Sequence, residues 1–237
     1  MMGLDGFLNW LAERRAQYSP STPPIRWKTW AAITVVLVVL AMVFRDSALT
    51  IAARHEPEWL RALAENTTDL GKSWWSLTLT GILFIAAVAI HRYAGLAAAA
   101  RARLHYVATA SAYVFLSVAL SGIIGNIVKR IIGRARPPLF DAEGAFHFKS
   151  FSGHLYESFP SGHSTTDGAM AMALAVLFPR YRVAFFLVGG FLALTRIMVG
   201  AHYLSDVIAG YSFGLWYAYM SALFFAKHGF SLKQPKW

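Results

Sequence analysis

The chain has 237 residues, of which 57% are hydrophobic and only 14% charged, against roughly 25% charged in an ordinary soluble domain. Its 22 Lys and Arg outnumber 12 Asp and Glu, but they are scattered between long apolar runs and form no single stripe or tail, so nucleic acid is not the expected partner. Cysteine is absent, which excludes disulfides and thiolate-ligated metal sites.

The first residues lack the charged start, apolar run and small-residue cleavage site of a signal peptide. Instead Phe7, Leu8, Trp10 and Leu11 oppose Glu13, Arg14 and Arg15, which predicts an amphipathic helix lying on a membrane surface within residues 1–24. Pro20, Pro23 and Pro24 separate it from the first long apolar run. Six runs in all approach the roughly 20 apolar residues that a helical span needs: Trp27–Phe44, Trp74–Ile90, Tyr106–Val128, Ser161–Phe178, Val183–Val199 and Tyr203–Phe225. None alternates as the strands of a barrel would. The expected fold is therefore all-α, a polytopic membrane protein of six transmembrane helices in one domain over residues 1–237, with no internal repeat.

Orientation comes from Lys and Arg in the short flanking loops. With the amino terminus inside, twelve of the 22 lie on the inner side, and Asp46, Glu56, Glu58, Glu65 and Asp69 crowd the first outer loop. Both termini are then cytoplasmic. The outer basic residues concentrate in two places, and these need a reason other than topology.

Three clusters supply it. Lys129 is followed six residues later by Arg136-Pro137 at the outer end of the third span. Pro160-Ser161-Gly162-His163 directly precedes the fourth span. Arg196, His202 and Asp206 cross the tight turn between the fifth and sixth. In a six-span layout all three lie on one side and can meet. Ionisable groups near bilayer depth are costly, so Lys129, Arg136, Arg196, His163, His202 and Asp206 are expected to face a polar cavity. Three cations suit a phosphate dianion, with guanidinium forks binding its oxygens and Lys adding a point charge. Ser161 and Gly162, at a helix start, can offer unpaired backbone N–H groups to the same anion. His202 and Asp206 stand four apart, which on a helix lets the carboxylate fix the imidazole tautomer.

These residues resemble the signature of the type 2 phosphatidic acid phosphatase superfamily, whose motifs are matched between Lys129 and Asp206; one departure is Thr195 where the third motif usually begins with Ser. The resemblance implies that His202 is the nucleophile, Asp206 orients it, and His163 protonates the leaving oxygen and then assists water in hydrolysing a phosphohistidine. Lys129, Arg136, Ser161, Gly162 and Arg196 would hold the phosphoryl oxygens. No cofactor or metal is implied, and neither histidine has a partner at zincin spacing. The implied protein is a lipid phosphate or diphosphate phosphatase of a bacterial inner membrane, facing the periplasm. Its expected partners are a lipid phosphate and the bilayer, with no obligatory protein partner. Compact bacterial members of the superfamily suggest phosphatidylglycerophosphate, undecaprenyl diphosphate, phosphatidic acid or the 1-phosphate of lipid A as substrate. A phosphotransferase would use the same intermediate, and a non-catalytic binder or transporter of anionic lipid would need the cations but not the His–Asp pair. A haloperoxidase would share the anion pocket without needing six apolar spans.

Spacing alone adds Asp167, four residues after His163, as a carboxylate that would keep His163 protonated; the competing reading pairs it with a pocket arginine or leaves it facing water. Arg130 and Arg134 read equally well as head-group anchors. His55, His91, His105, His147, His154 and His228 lack charged company and read as loop or interface histidines. The Leu139–Phe159 loop is expected to flank the site.

Overall fold

The computed structural model describes residues 3–17 and 26–233. The three prolines expected to end the amino-terminal helix lie outside them. Ten α-helices are present among the described residues: α1 (Leu4–Gln17), α2 (Trp27–Phe44), α3 (Asp46–Ala53), α4 (Glu58–Thr68), α5 (Ser73–Tyr93), α6 (Ala98–Ile132), α7 (Phe140–Glu143), α8 (Gly162–Leu177), α9 (Arg182–Met198) and α10 (Leu204–Lys227). Five stretches of helix, counting α4 through α5 as one, are long and apolar enough to cross a membrane. The fourth expected span, α8, has 16 residues and is about 24 Å long, short of the bilayer core.

Composition explains how so short a helix is accommodated. Ser164, Thr165, Thr166, Gly168, Ala169, Ala171, Ala173 and Ala175 of α8 are all buried, because α6, α9 and α10 surround the helix. Small side chains let backbones approach closely, which is the favourable contact available where lipid removes the hydrophobic drive between helices. Gly214 shows the limit: a Cβ there would collide with the Thr165 carbonyl, and one on Gly168 with the Tyr211 carbonyl. The contacts step in parallel along both chains, Gly210 over Ser161 and Gly214 over Thr165. The amino-terminal ends of α8 and α10 therefore sit side by side.

The outer surface inverts the usual pattern of a soluble protein. Large apolar residues point outward, among them Ile33 and Val39 of α2, Ile82 and Ile85 of α5, Ile123 and Ile127 of α6, and Leu187 and Val188 of α9. The interior holds Ala169, Ala173 and Ala218 with Tyr113, whose hydroxyl donates to the Ala218 carbonyl at 3.0 Å. At the opposite end from the α8 and α10 starts, Arg14 of α1 donates to the His228 carbonyl at 2.7 Å and lies over the Trp10 and Phe230 rings. The amino-terminal helix thus docks on the end of α10.

Helix α6 extends eight residues before its apolar run, because Ala98–His105 is rich in Ala and Arg, both strong helix formers. The first outer connection, read from sequence as a loop, is helical in α3 and α4.

Candidate active site

A cavity of about 460 Å³ lies where the carboxyl-terminal ends of α6 and α9 meet the starts of α8 and α10, and Lys129, Arg136, Gly162, His163, Arg196 and His202 all line it. Six of the nine residues singled out from sequence therefore share one space. Lys129 is buried in the last turn of α6. Its Nζ sits 3.0 Å from where a Cβ on Gly162 would be, so glycine there lets the ammonium lie against the start of α8 without shifting. Helix α6 then ends at Gly133, whose left-handed φ of 66° closes the helix; a side chain there would run into the Lys149 carbonyl. The chain doubles back, and the Arg136 Nη2 donates to the Glu157 carbonyl at 3.2 Å. Arg196, in the last turn of α9, donates from Nη1 to Thr68 Oγ1 at 2.7 Å. The turn after it is held by Ala201 and His202 N–H groups on the Arg196 carbonyl, with Gly200 at a left-handed φ of 65°. That turn carries His202 to the cavity wall at 3% exposure.

His202 Nδ1 lies 3.7 Å from Asp206 Oδ2, beyond the reach of a hydrogen bond. Its Nε2 is left for the cavity. Burial holds the imidazole neutral, pushing its pKa down to about 4 against the pull of Asp206, and a neutral ring is what a nitrogen nucleophile requires.

A sequence model of the PAP2 superfamily matches residues 110–230, a stretch that contains all three clusters. The chain belongs to the PAP2 superfamily. It is similar to the lipid A 1-phosphatase of Rhizobium etli, 44% identical over 212 residues that make up 89% of this chain and 90% of that protein. Likeness to the lipid A 1-phosphatase of Rhizobium johnstonii is also 44% over 212 residues, 89% of this chain and 86% of the other. Among solved structures it resembles the transmembrane PAP2-type phosphatidylglycerolphosphate phosphatase from Bacillus subtilis, with a TM-score of 0.55 over 83% of this chain and 94% of that one. At 21% identity that likeness concerns the fold.

In this PAP2 phosphatase, three singled-out residues stand behind the cavity wall. Asp206 is fully buried. Ser161 departs from its expected part: its N–H donates to the Asp206 carbonyl at 3.1 Å, and its hydroxyl receives a hydrogen bond from Ser164 Oγ at 2.9 Å. The N–H is spent on joining α8 to α10, so Ser161 caps the helix and the first-turn N–H groups of Gly162 and His163 remain for an anion. Asp167 is also buried, and no ion pair joins it to His163 among the described residues. Its carboxylate instead abuts Gly71, where a Cβ would come within 2.8 Å of Oδ1, and the charge that acts on it is Arg196.

Sequence reasoning missed the residue at the centre of the buried network behind the site. Arg134, which reads from sequence as a head-group anchor, is fully buried. Its Nη1 donates to Asp206 Oδ1 and Ser205 Oγ, both at 2.6 Å, and its Nη2 donates to Asp46 Oδ2 and the Ala145 carbonyl, both at 2.8 Å. The guanidinium also lies 4.2 Å from the centre of the Tyr203 ring. Asp46, one of the acidic residues assigned to the outer loop, has no exposure and receives bonds from the Ser205 N–H and hydroxyl. Ser158 Oγ at 2.6 Å and the Tyr203 N–H at 2.9 Å complete the shell of Asp206 Oδ2. His154, a loop histidine by sequence, lines the cavity with Glu157, so the Leu139–Phe159 loop does flank the site. Its only sequence signal is a position six residues before Pro160.

Proposed function

We propose that this PAP2 phosphatase removes the 1-phosphate of lipid A or a closely similar glycolipid phosphate through a phosphohistidine on His202. The observation that carries the reading is the convergence of His163, His202, Lys129, Arg136 and Arg196 on one cavity, with the Asp206 carboxylate behind His202. The choice of lipid rests on the two rhizobial relatives, which align over nearly their whole length.

In the proposed reaction, Lys129, Arg136, Arg196 and the N–H groups at the start of α8 hold the three non-bridging oxygens and stabilise the charge that spreads over them in transfer. His202 Nε2 attacks phosphorus, an N–P bond forms, and the bond to the sugar oxygen breaks. His163 gives that oxygen its proton. The phosphorylated imidazole then carries a positive charge, which Asp206 faces from the Nδ1 side. Water next attacks phosphorus while His163, now neutral, accepts its proton, and His202 is released with inorganic phosphate.

We further place α2, α5, α6, α8, α9 and α10 as six crossings of a bacterial inner membrane, with the cavity on the periplasmic side. Support comes from the contact of α1 with the end of α10, which favours an even number of crossings. Arg14, Arg15, Arg92, Arg101, Arg103, Arg180 and Lys227 also flank the helix ends away from the cavity, as the positive-inside rule requires.

The test is phosphate release by purified protein across lipid A, phosphatidylglycerophosphate, undecaprenyl diphosphate and phosphatidic acid, with the product from lipid A located by mass spectrometry. Loss of the 1-phosphate at the highest kcat/KM is the expected result. Higher kcat/KM on a glycerophospholipid, with lipid A untouched, would overturn the choice of substrate.

A further inference from the structure

The rim of the cavity carries an apolar feature that catalysis does not use. Between Ala145 and Ser158 the chain exposes Phe146 (56%), Phe148 (48%), Phe151 (76%) and Leu155 (46%). A mobile loop could shed such exposure by folding the rings inward, but this segment is fixed. The Lys149 N–H donates to the Gly133 carbonyl at 2.6 Å, Ser150 Oγ to the Ile131 carbonyl at 2.5 Å, and the Phe151 N–H to the Arg130 carbonyl at 3.0 Å. These are the carbonyls that the end of α6 leaves without helical partners, so residues 149–151 cap the helix from above. Phe151 has a φ of 55°, a left-handed conformation that glycine adopts freely and a bulky side chain rarely does. Strain at that position is retained together with an outward-facing ring.

The occupant is indicated by what lies below. Ile123, Ile127 and Ile131 recur every fourth residue on the outward face of α6, each more than half exposed, and this face is continuous with the lipid-facing surface of the bundle. Ile131 is the residue that Ser150 caps. Exposed Lys149 flanks the aromatics, and Arg130 beside it pairs with Glu157 at 3.3 Å. Rings at the end of an apolar helix face with basic groups beside them match the boundary between acyl chains and anionic head groups. Three residues beyond Phe151, His154 lines the catalytic cavity.

We propose that Phe148, Phe151 and Leu155 insert into the outer leaflet of the bilayer and fix the mouth of the cavity at head-group depth. The proposal rests on the membrane-phosphatase reading for its consequence, namely that the enzyme draws substrate from the lipid surface. Its physical content is independent of that reading.

Because the chain has no cysteine, a single environment-sensitive fluorophore can be attached through Phe151→Cys in protein reconstituted into anionic vesicles, with Asp141→Cys as a control outside the apolar rim. Blue-shifted emission at 151, quenched by spin-labelled lipid while the label at 141 is not, is the expected result. Water-like emission at 151, or equal quenching at both positions, overturns the insertion. This readout needs no activity, so it separates failure of the insertion from failure of the substrate assignment. A second measurement uses Phe148→Ser/Phe151→Ser. On long-chain lipid in vesicles kcat/KM should fall about tenfold, while turnover of a short-chain, water-soluble phosphate ester stays within twofold of wild type. Equal loss on both substrates, or no loss on either, contradicts the proposal.

Discussion

Arg134→Lys isolates what the buried network contributes, because it keeps the charge and removes the fork. In the native protein the guanidinium holds Asp46, Ser205, the Ala145 carbonyl and Asp206 at 2.6–2.8 Å. An ammonium has three donors on a single point and cannot reach two carboxylates on opposite sides of a planar group. One carboxylate is left without its cation. A hydrogen bond to a charged partner contributes about 1.5–3 kcal/mol, and breaking a buried pair costs about 3–5 kcal/mol; since the charge itself is kept, a loss of about 2–4 kcal/mol is expected. Turnover should fall further than folding alone explains. Formally the network of one cation and two carboxylates carries one negative charge, which the positive charge of phosphorylated His202 would neutralise, and a displaced Asp206 no longer faces that ring. A fall in kcat of about 10- to 100-fold is expected, below the roughly 10⁴-fold seen when a triad carboxylate is lost outright. Thermal unfolding in detergent and steady-state turnover give both numbers. Asp46→Asn added to Arg134→Lys supplies the control, because the lysine then has one carboxylate to serve and should return part of the kcat. If Arg134→Lys stays within twofold of wild type in kcat and unfolds at the same temperature, the network does not organise the site.

His202→Ala should abolish turnover while lipid binding survives, because Lys129, Arg136 and Arg196 remain to hold the phosphate; activity within tenfold of wild type would refute the nucleophile. Vanadate should inhibit competitively and excess EDTA should not, since the cations of the cavity occupy the place a metal would take; inactivation by EDTA reversed by one divalent ion would point to different chemistry. A membrane-impermeant thiol reagent should label Asp141→Cys but not Arg180→Cys in intact cells, both positions being exposed, and the reverse pattern would invert the proposed topology.

The cavity was legible because its residues combine a costly property with a fixed spacing: ionisable groups at the ends of apolar runs, repeated three times on one side. Arg134 and Asp46 have the first property but not the second. An arginine just beyond a helix end looks the same whether it anchors at the head groups or turns inward, and the left-handed turn at Gly133 decides between the two. Asp46 lies 88 residues before Arg134, so no local pattern could pair them. The limits of α8 were read almost to the residue, while its insufficient length for a free-standing span became intelligible only with the helices that enclose it. Its Gly and Ala residues signal close packing, but not against which partner.

Asp167 shows how spacing leaves the partner open even when the helix is right. Residues 163 and 167 are one turn apart on α8, yet His163 opens on the cavity while Asp167 faces the connection between α4 and α5. What that connection offers is a gap at Gly71, which a larger residue would close against the carboxylate, and Thr68, which receives the hydrogen bond from Arg196 Nη1. Asp167 Oδ2 and Arg196 Nε are both buried without a hydrogen-bond partner, and burial weighs on each of them more than their mutual attraction does. From this geometry we propose that the carboxylate steadies Arg196, one of the cations proposed to hold phosphate, and leaves the proton of His163 alone. Asp167→Asn should therefore raise KM for the lipid several-fold with a smaller change in kcat, and Thr68→Val should do the same, since both loosen one arginine. The alkaline limb of kcat/KM should stay where it is in both variants. Were Asp167 to tune His163, losing its charge would move that limb down by about one pH unit in Asp167→Asn and not in Thr68→Val, and that split would refute the assignment to Arg196.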